Sequence, residues 1–233
     1  MLKNLFKESA FLYWLWFVLI RARQGKGRRR LPKASDHLFF TGFPRSGNTY
    51  LGSLIVHCFP SLEFTTHLHT VGSIKIALSN NLKTLVVIRN PLDSVASFLA
   101  YHSDDLDSVP TKRQVRHFLS KYCRYFRFLN DKKDVIQFIS FKNMIVDKKS
   151  TIRGIAEILG LPDFELSDDL LKDVDRKMRK VEAKKRSNAG SLPNEQKQVY
   201  KARVSKLIIA DANFGQCSDL FNSLEARTIN ANK

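Results

Sequence analysis

Residues 37–49 read HLFFTGFPRSGNT, and the fold of the chain turns on them. His37 to Thr41 is the short apolar run of a buried strand, and Gly42 and Gly47 punctuate a tight loop. From Tyr50 to about Cys58 the chain is apolar and helix-compatible. Strand, glycine loop and helix in that order make a phosphate cradle. Glycines let the backbone turn tightly, so its N–H groups and the positive end of the following helix point at one anion. The spacing of Gly42, Gly47 and Thr49 satisfies the phosphate loop of nucleoside triphosphatases at every position except its lysine, where Asn48 stands. Arg45 supplies a cation from inside the loop instead.

The second apolar strand, Leu85 to Ile88, ends in Arg89, where a magnesium-dependent triphosphatase would carry an aspartate. An arginine at the carboxyl end of a parallel strand beside a phosphate loop is placed to bind a second anion. Pro91 suits the first turn of a helix, which sets Ser97 about two turns in, with its hydroxyl reaching back toward that anion.

Together these segments resemble the sulfotransferases that use 3'-phosphoadenosine 5'-phosphosulfate (PAPS). Pro44-Arg45-Ser46-Gly47-Asn48-Thr49-Tyr50-Leu51 meets the family's first motif, and Arg89, Asn90, Pro91, Asp93 and Ser97 meet its second. Lys185-Arg186-Ser187-Asn188-Ala189-Gly190-Ser191-Leu192 is similar to a third, degenerate element that keeps the cations and lacks the tryptophan. Phe141-Lys142-Asn143-Met144 resembles a further element, with Phe141 in a tyrosine's place.

The resemblance implies a cofactor gripped at both ends. Arg45, Ser46, Gly47, Asn48 and Thr49 would hold the 5'-phosphosulfate, with Tyr50 stacked on adenine and Phe141 beside it. Arg89, Ser97, Lys185, Arg186 and Ser187 would hold the 3'-phosphate. It also implies a general-base histidine between the two motifs, at His67 in Thr65-Thr66-His67-Leu68-His69, with His69 as the alternative. Arg45 would stabilise charge on the transferring group without giving up a proton. The implied co-substrate is PAPS and no metal is expected.

The order of elements, continuing through a strand at Val135 to Phe141, predicts an α/β fold: a three-layer parallel sheet with helices on both faces, of the phosphate-loop nucleotide-binding type. Lys112 to Lys133 reads as a helix with Phe118, Leu119, Tyr122, Phe126 and Leu129 inward. A helix starts at Ser167-Asp168-Asp169, and Tyr200, Val204, Leu207 and Ile208 mark a late helix closed by Phe214-Gly215. A length of 233 residues suits a main domain over 34–233 after an N-terminal segment over 1–33.

That first segment carries the run AFLYWLWFVLI from Ala10 to Ile20, too short to span a bilayer comfortably. Either it packs on the domain, or residues 10–33 dock on an anionic membrane surface through Tyr13, Trp14, Trp16 and the basic collar that follows. The formal charge of +17, from 39 Lys and Arg against 22 Asp and Glu, calls for anionic partners. Three distant cysteines without zinc spacing predict a reducing compartment and no structural metal, hence a cytoplasmic chain, peripheral on a membrane if the run inserts.

A PAPS-dependent sulfotransferase acting on a small-molecule, carbohydrate or lipid acceptor is the leading expectation. A nucleotide kinase or GTPase-like protein is the alternative, weakened by the missing loop lysine. A basic nucleic-acid-binding module comes last, since it explains the charge and not the loop; no nucleic acid is expected.

Overall fold

The computed structural model describes residues 8–24, 30–103, 105–161, 164–182 and 195–229. Its centre is a parallel sheet of β1 (Leu38–Gly42), β2 (Phe64–Thr65), β3 (Lys83–Ile88) and β4 (Gln137–Ser140), in the order β2-β1-β3-β4. Phe39 pairs with Thr84 and Val86 with Phe138, so the two motif-bearing strands lie side by side. Their phosphate-facing ends therefore open on the same edge.

Alternation along each strand divides the core in two. Phe39, Val86, Ile88 and Phe138 point to one face, which is covered by α1 (Ala10–Gln24), α3 (Val71–Ser79), α4 (Pro91–His102), α5 (Lys112–Asp131), α9 (Glu195–Ile209) and α10 (Phe214–Glu225). Leu38, Phe40, Leu85, Val87 and Ile139 point to the other, covered by α2 (Asn48–Cys58), α6 (Phe141–Val146), α7 (Lys148–Leu159) and α8 (Asp168–Glu182). The expected three-layer α/β arrangement is what the chain adopts.

Helix starts follow local chemistry. Pro91 opens α4 while the Asn90 side chain accepts from Leu92 N at 2.9 Å, and Thr111 with Gln114 forms a reciprocal capping box on α5. One expected boundary differs. Phe214-Gly215 does not close a late helix; Phe214 opens α10 after a turn at Asp211–Asn213. The apolar pattern of α9 and α10 is nearly continuous, so the break is set by the turn's hydrogen bonds.

Asp36 ties the entry of β1 to its neighbour. Its buried carboxylate accepts from Arg30, from Lys33 N at 3.0 Å and from Thr65 Oγ1 at 2.7 Å. Burial opposes the charge, but these donors outweigh it and hold the carboxyl below its ordinary pKa.

The cysteine expectation needs correcting. Cys123 on α5 and Cys217 on α10 form a buried disulfide across 94 residues, and Cys58 remains free and buried, its thiol pushed up to about 11 by burial. The helix packing that joins them cannot be read from spacing. A bonded pair is the chemistry of an oxidising compartment, which removes the argument from cysteine usage for a reducing one.

The apolar N-terminal run packs on the domain through Tyr13 and Phe17, which join the core against α3. Its other side leaves Phe11, Trp14, Trp16, Val18 and Leu19 exposed. Among the described residues no helix is long and apolar enough to cross a membrane.

Candidate active site

The loop between β1 and α2 is shaped by its glycines. Gly47 caps α2 at φ 93°, in the left-handed region, and a Cβ there would lie 2.5 Å from the Phe141 ring. A Cβ on Gly42 would meet the Val87 carbonyl oxygen at 2.5 Å, so glycine lets β1 and β3 close up beside the site. Arg45 also sits at positive φ, 71°. Its carbonyl oxygen accepts from Arg89 Nη1 at 2.7 Å, so the arginine at the end of β3 holds the strained residue of the loop in place.

The Arg89 guanidinium lies 4.3 Å from the Phe141 ring centroid, within cation–π range. Burial, with the neighbouring Arg45, pulls its pKa down while Asp93 supports its charge. Arg45 in turn donates from Nε to Ser97 Oγ at 3.3 Å, and its guanidinium carbon lies 5.1 Å from the Tyr101 ring. The resemblance assigns Arg45 and Ser97 to opposite ends of a cofactor; here they touch.

Three buried polar atoms here have no hydrogen-bond partner among the described residues: Ser46 Oγ, Asn48 Oδ1 and Arg89 Nε. Leaving such groups unpaired costs roughly 1–3 kcal/mol each, so their gathering at one loop is the mark of a site built for a polar ligand. The residues fit a phosphorylated donor: backbone amides at a helix N-terminus, a serine hydroxyl and two arginines are anion-binding groups.

Three cavities meet at Arg89 and Phe141, which line all of them. The first, about 330 Å³, is bounded by Arg45, Asn48, Thr49, His67, His69, Phe98 and Tyr101. Both candidate bases therefore face the loop. His67 has φ 64°, and its ring centroid lies 6.1 Å from that of His69. His69 Nδ1 donates to the Gly42 carbonyl at 2.9 Å, which leaves Nε2 as the proton-accepting nitrogen.

The second cavity, about 170 Å³, brings Ser97 together with Lys197 and Lys201 of α9. Lys201 is paired with Asp93. Sequence reading missed both lysines. Their spacing of four puts them on one face of a helix, but only packing of α9 against α4 aims that face at Arg89. Lys185, Arg186 and Ser187, expected in this role, lie outside the described residues.

The third, about 670 Å³, holds Tyr50, Lys148 and Asp175. Tyr50 donates to Asp175 Oδ1 at 3.0 Å, and Lys148 pairs with the same carboxylate. Burial, then the Asp175 carboxylate, raise the tyrosine's pKa, so it stays a neutral donor. Asp175 was also missed, 125 residues away in sequence.

Comparison with known proteins points the same way. The family model of the sulfotransferase domain matches residues 59–209, a span that includes the Arg89 motif and both histidines and begins after the glycine loop. Sulfotransferase 6B1 of Mus musculus is 29% identical over 129 residues, covering 50% of this chain and 41% of the relative. Sulfotransferase 6B1 of Homo sapiens is 35% identical over 118 residues, covering 44% and 38%. The chain thus matches about two fifths of the length of these relatives. Mouse sulfotransferase SULT7A1, solved in complex with PAP, aligns over 87% of each chain at 16% identity with a TM-score of 0.49, too loose a likeness to argue from. The family model covers more than half of the chain, and on that match the chain belongs to the sulfotransferase domain family.

Proposed function

We propose that the protein transfers a sulfuryl group from PAPS to a hydroxyl or amine of an acceptor, releasing adenosine 3',5'-bisphosphate. The observation that carries this is the convergence of Arg45, Arg89, Ser97 and Lys197 on one cavity, with Arg89 Nε lacking a hydrogen-bond partner among the described residues, next to a cavity holding His67 and His69.

The donor, when bound, supplies a sulfuryl group activated by a phosphate leaving group. The chain's own residues do the rest. His67, with His69 as the alternative, takes the acceptor's proton. Arg45 stabilises negative charge without proton transfer, and the amides of Gly47 to Thr49 present the helix's positive end. Arg89, Ser97 and Lys197 hold the 3'-phosphate, while Tyr50 and Phe141 flank the larger cavity suited to the adenine. Arg89 makes the site rigid by fixing the Arg45 carbonyl. Lys185, Arg186 and Ser187, outside the described residues, are assigned to the same phosphate by the resemblance alone.

The test is transfer of labelled sulfate from PAPS to a mixed extract in the presence of a magnesium chelator, with mass spectrometry of the product. Chelator-insensitive labelling is expected. Transfer that instead requires magnesium and a nucleoside triphosphate would establish the kinase alternative.

The same reading extends to partners. The acceptor is a small molecule, carbohydrate or lipid, and the exposed Phe11, Trp14 and Val18 of α1, followed by the basic stretch from Arg21 to Lys33, suit peripheral docking on an anionic membrane. The proposed division is an N-terminal segment over 1–33, which lends Tyr13 and Phe17 to the core, and a transferase domain over 34–233. Docking would leave the domain on the cytoplasmic face only if Cys123 and Cys217 are reduced there. Sedimentation with phosphatidylserine vesicles, with and without residues 1–30, checks the docking; equal sedimentation of both forms rejects it.

A further inference from the structure

A fourth cleft, about 780 Å³, opens beyond the C-terminal end of α4, where α5 begins and α9 passes. None of its residues has a role in the reading above. Its wall includes His102, Arg113, Arg116 and His117 together with Phe118 and Tyr200.

The cleft is cationic. Arg113 makes no ion pair among the described residues, and Arg116 shares Asp211 at 3.3 Å while its side chain stays 66% exposed. Burial and neighbouring cations bear on both imidazoles. Burial and then Lys121 and Arg45 lower the pKa of His102; burial and then Lys121, Arg124 and Arg113 lower that of His117. The nearby acid Asp107 is engaged by Arg203.

Among the described residues no lining residue is shared with the transfer cavity, but aromatic rings of α4 lie between the two. Phe98 and Tyr101 line the cavity that holds His67. The His102 ring lies 4.7 Å from Phe98 and 5.1 Å from Tyr101, and it stacks on Phe118 at 6.0 Å with 12° between planes. Successive residues of α4 thus face the two spaces in turn.

We infer that this cleft receives the far end of the acceptor, and that the acceptor is an elongated molecule with a flat apolar middle and an anionic group distant from its hydroxyl. The hydroxyl sits with the histidines, the middle crosses Tyr101 and His102, and the anion meets Arg113 and Arg116. The placement of the hydroxyl rests on the sulfotransferase reading; the anion subsite does not.

The probes are 6-(4-hydroxyphenyl)hexanoate and its carboxamide, titrated calorimetrically into the full-length protein with and without saturating adenosine 3',5'-bisphosphate. Charge-assisted bonds to one carboxylate predict about a tenfold or greater preference for the acid. Arg113→Gln and the double variant Arg113→Gln/Arg116→Gln should lose it stepwise while bisphosphate binding and the circular dichroism spectrum stay unchanged. Equal binding of acid and amide by the native protein overturns the inference, as does an undiminished preference in the folded double variant. If the bisphosphate fails to bind, the sulfotransferase reading falls alone, because the acid and amide are still compared without it.

Discussion

Arg89 Nη1 donates to the carbonyl oxygen of Arg45 at 2.7 Å, joining the end of β3 to a loop residue that stands at φ 71°. One guanidinium thereby serves two purposes: it fixes the loop's shape and leaves its Nε unpartnered for a ligand.

Arg89→Ala is expected to weaken adenosine 3',5'-bisphosphate binding by roughly 10- to 150-fold, the loss of a charge-assisted bond of about 1.5–3 kcal/mol. Adenosine 5'-monophosphate, which lacks the 3'-phosphate, should lose far less. Calorimetry with both nucleotides on both proteins measures the difference, and equal affinity of the native protein for the two would refute the cofactor assignment.

Lys197 and Lys201 line the cavity of Arg89 and Ser97, and Lys201 is paired with Asp93. Lys197→Ala should weaken bisphosphate binding by about tenfold, and the affinity should fall more steeply with salt in the native protein than in the variant. An unchanged affinity and salt slope would remove Lys197 and leave the 3'-phosphate to Arg89, Ser97, Lys185 and Arg186.

His67→Ala should lower turnover by about 10²-fold or more with bisphosphate affinity nearly unchanged, because a general base acts on the acceptor and not on the nucleotide. If His69→Ala is crippled instead, the base is the histidine whose tautomer Gly42 fixes. Full activity in both variants would mean that neither histidine moves the proton.

The Asp36 carboxyl has a folded pKa below its unfolded value of about 3.9. Its contribution to stability is therefore fully present above that unfolded value and is lost as pH falls through the folded one. Asp36→Asn should be less stable than the native protein at pH 7, and the gap should narrow only below about pH 4. Urea denaturation at a series of pH values follows it; a gap that is constant with pH would assign the loss to geometry rather than charge.

The sequence alone determined what local chemistry controls. Gly42 and Gly47 set the loop because only glycine tolerates the close approach and the left-handed turn there. Asn90 and Pro91 start α4 from their own side chains, and that start carries Ser97 to the site. Alternating and unbroken apolar runs identified β1, β3 and β4 to within two residues, and those strands imply the layered sheet. Tertiary structure decided everything that depends on which helix face meets which neighbour. Lys197 shares a cavity with Arg89, Asp175 reaches Tyr50, and Cys123 meets Cys217, in each case across about a hundred residues or more of chain. Nothing local distinguishes these side chains from other lysines, acids and cysteines on amphipathic helices. The packing of α9 and α10 over α4 and α5, and of α8 over α2, fixes the rotation of each helix, and rotation is what separates a ligand-facing cation from a solvated one.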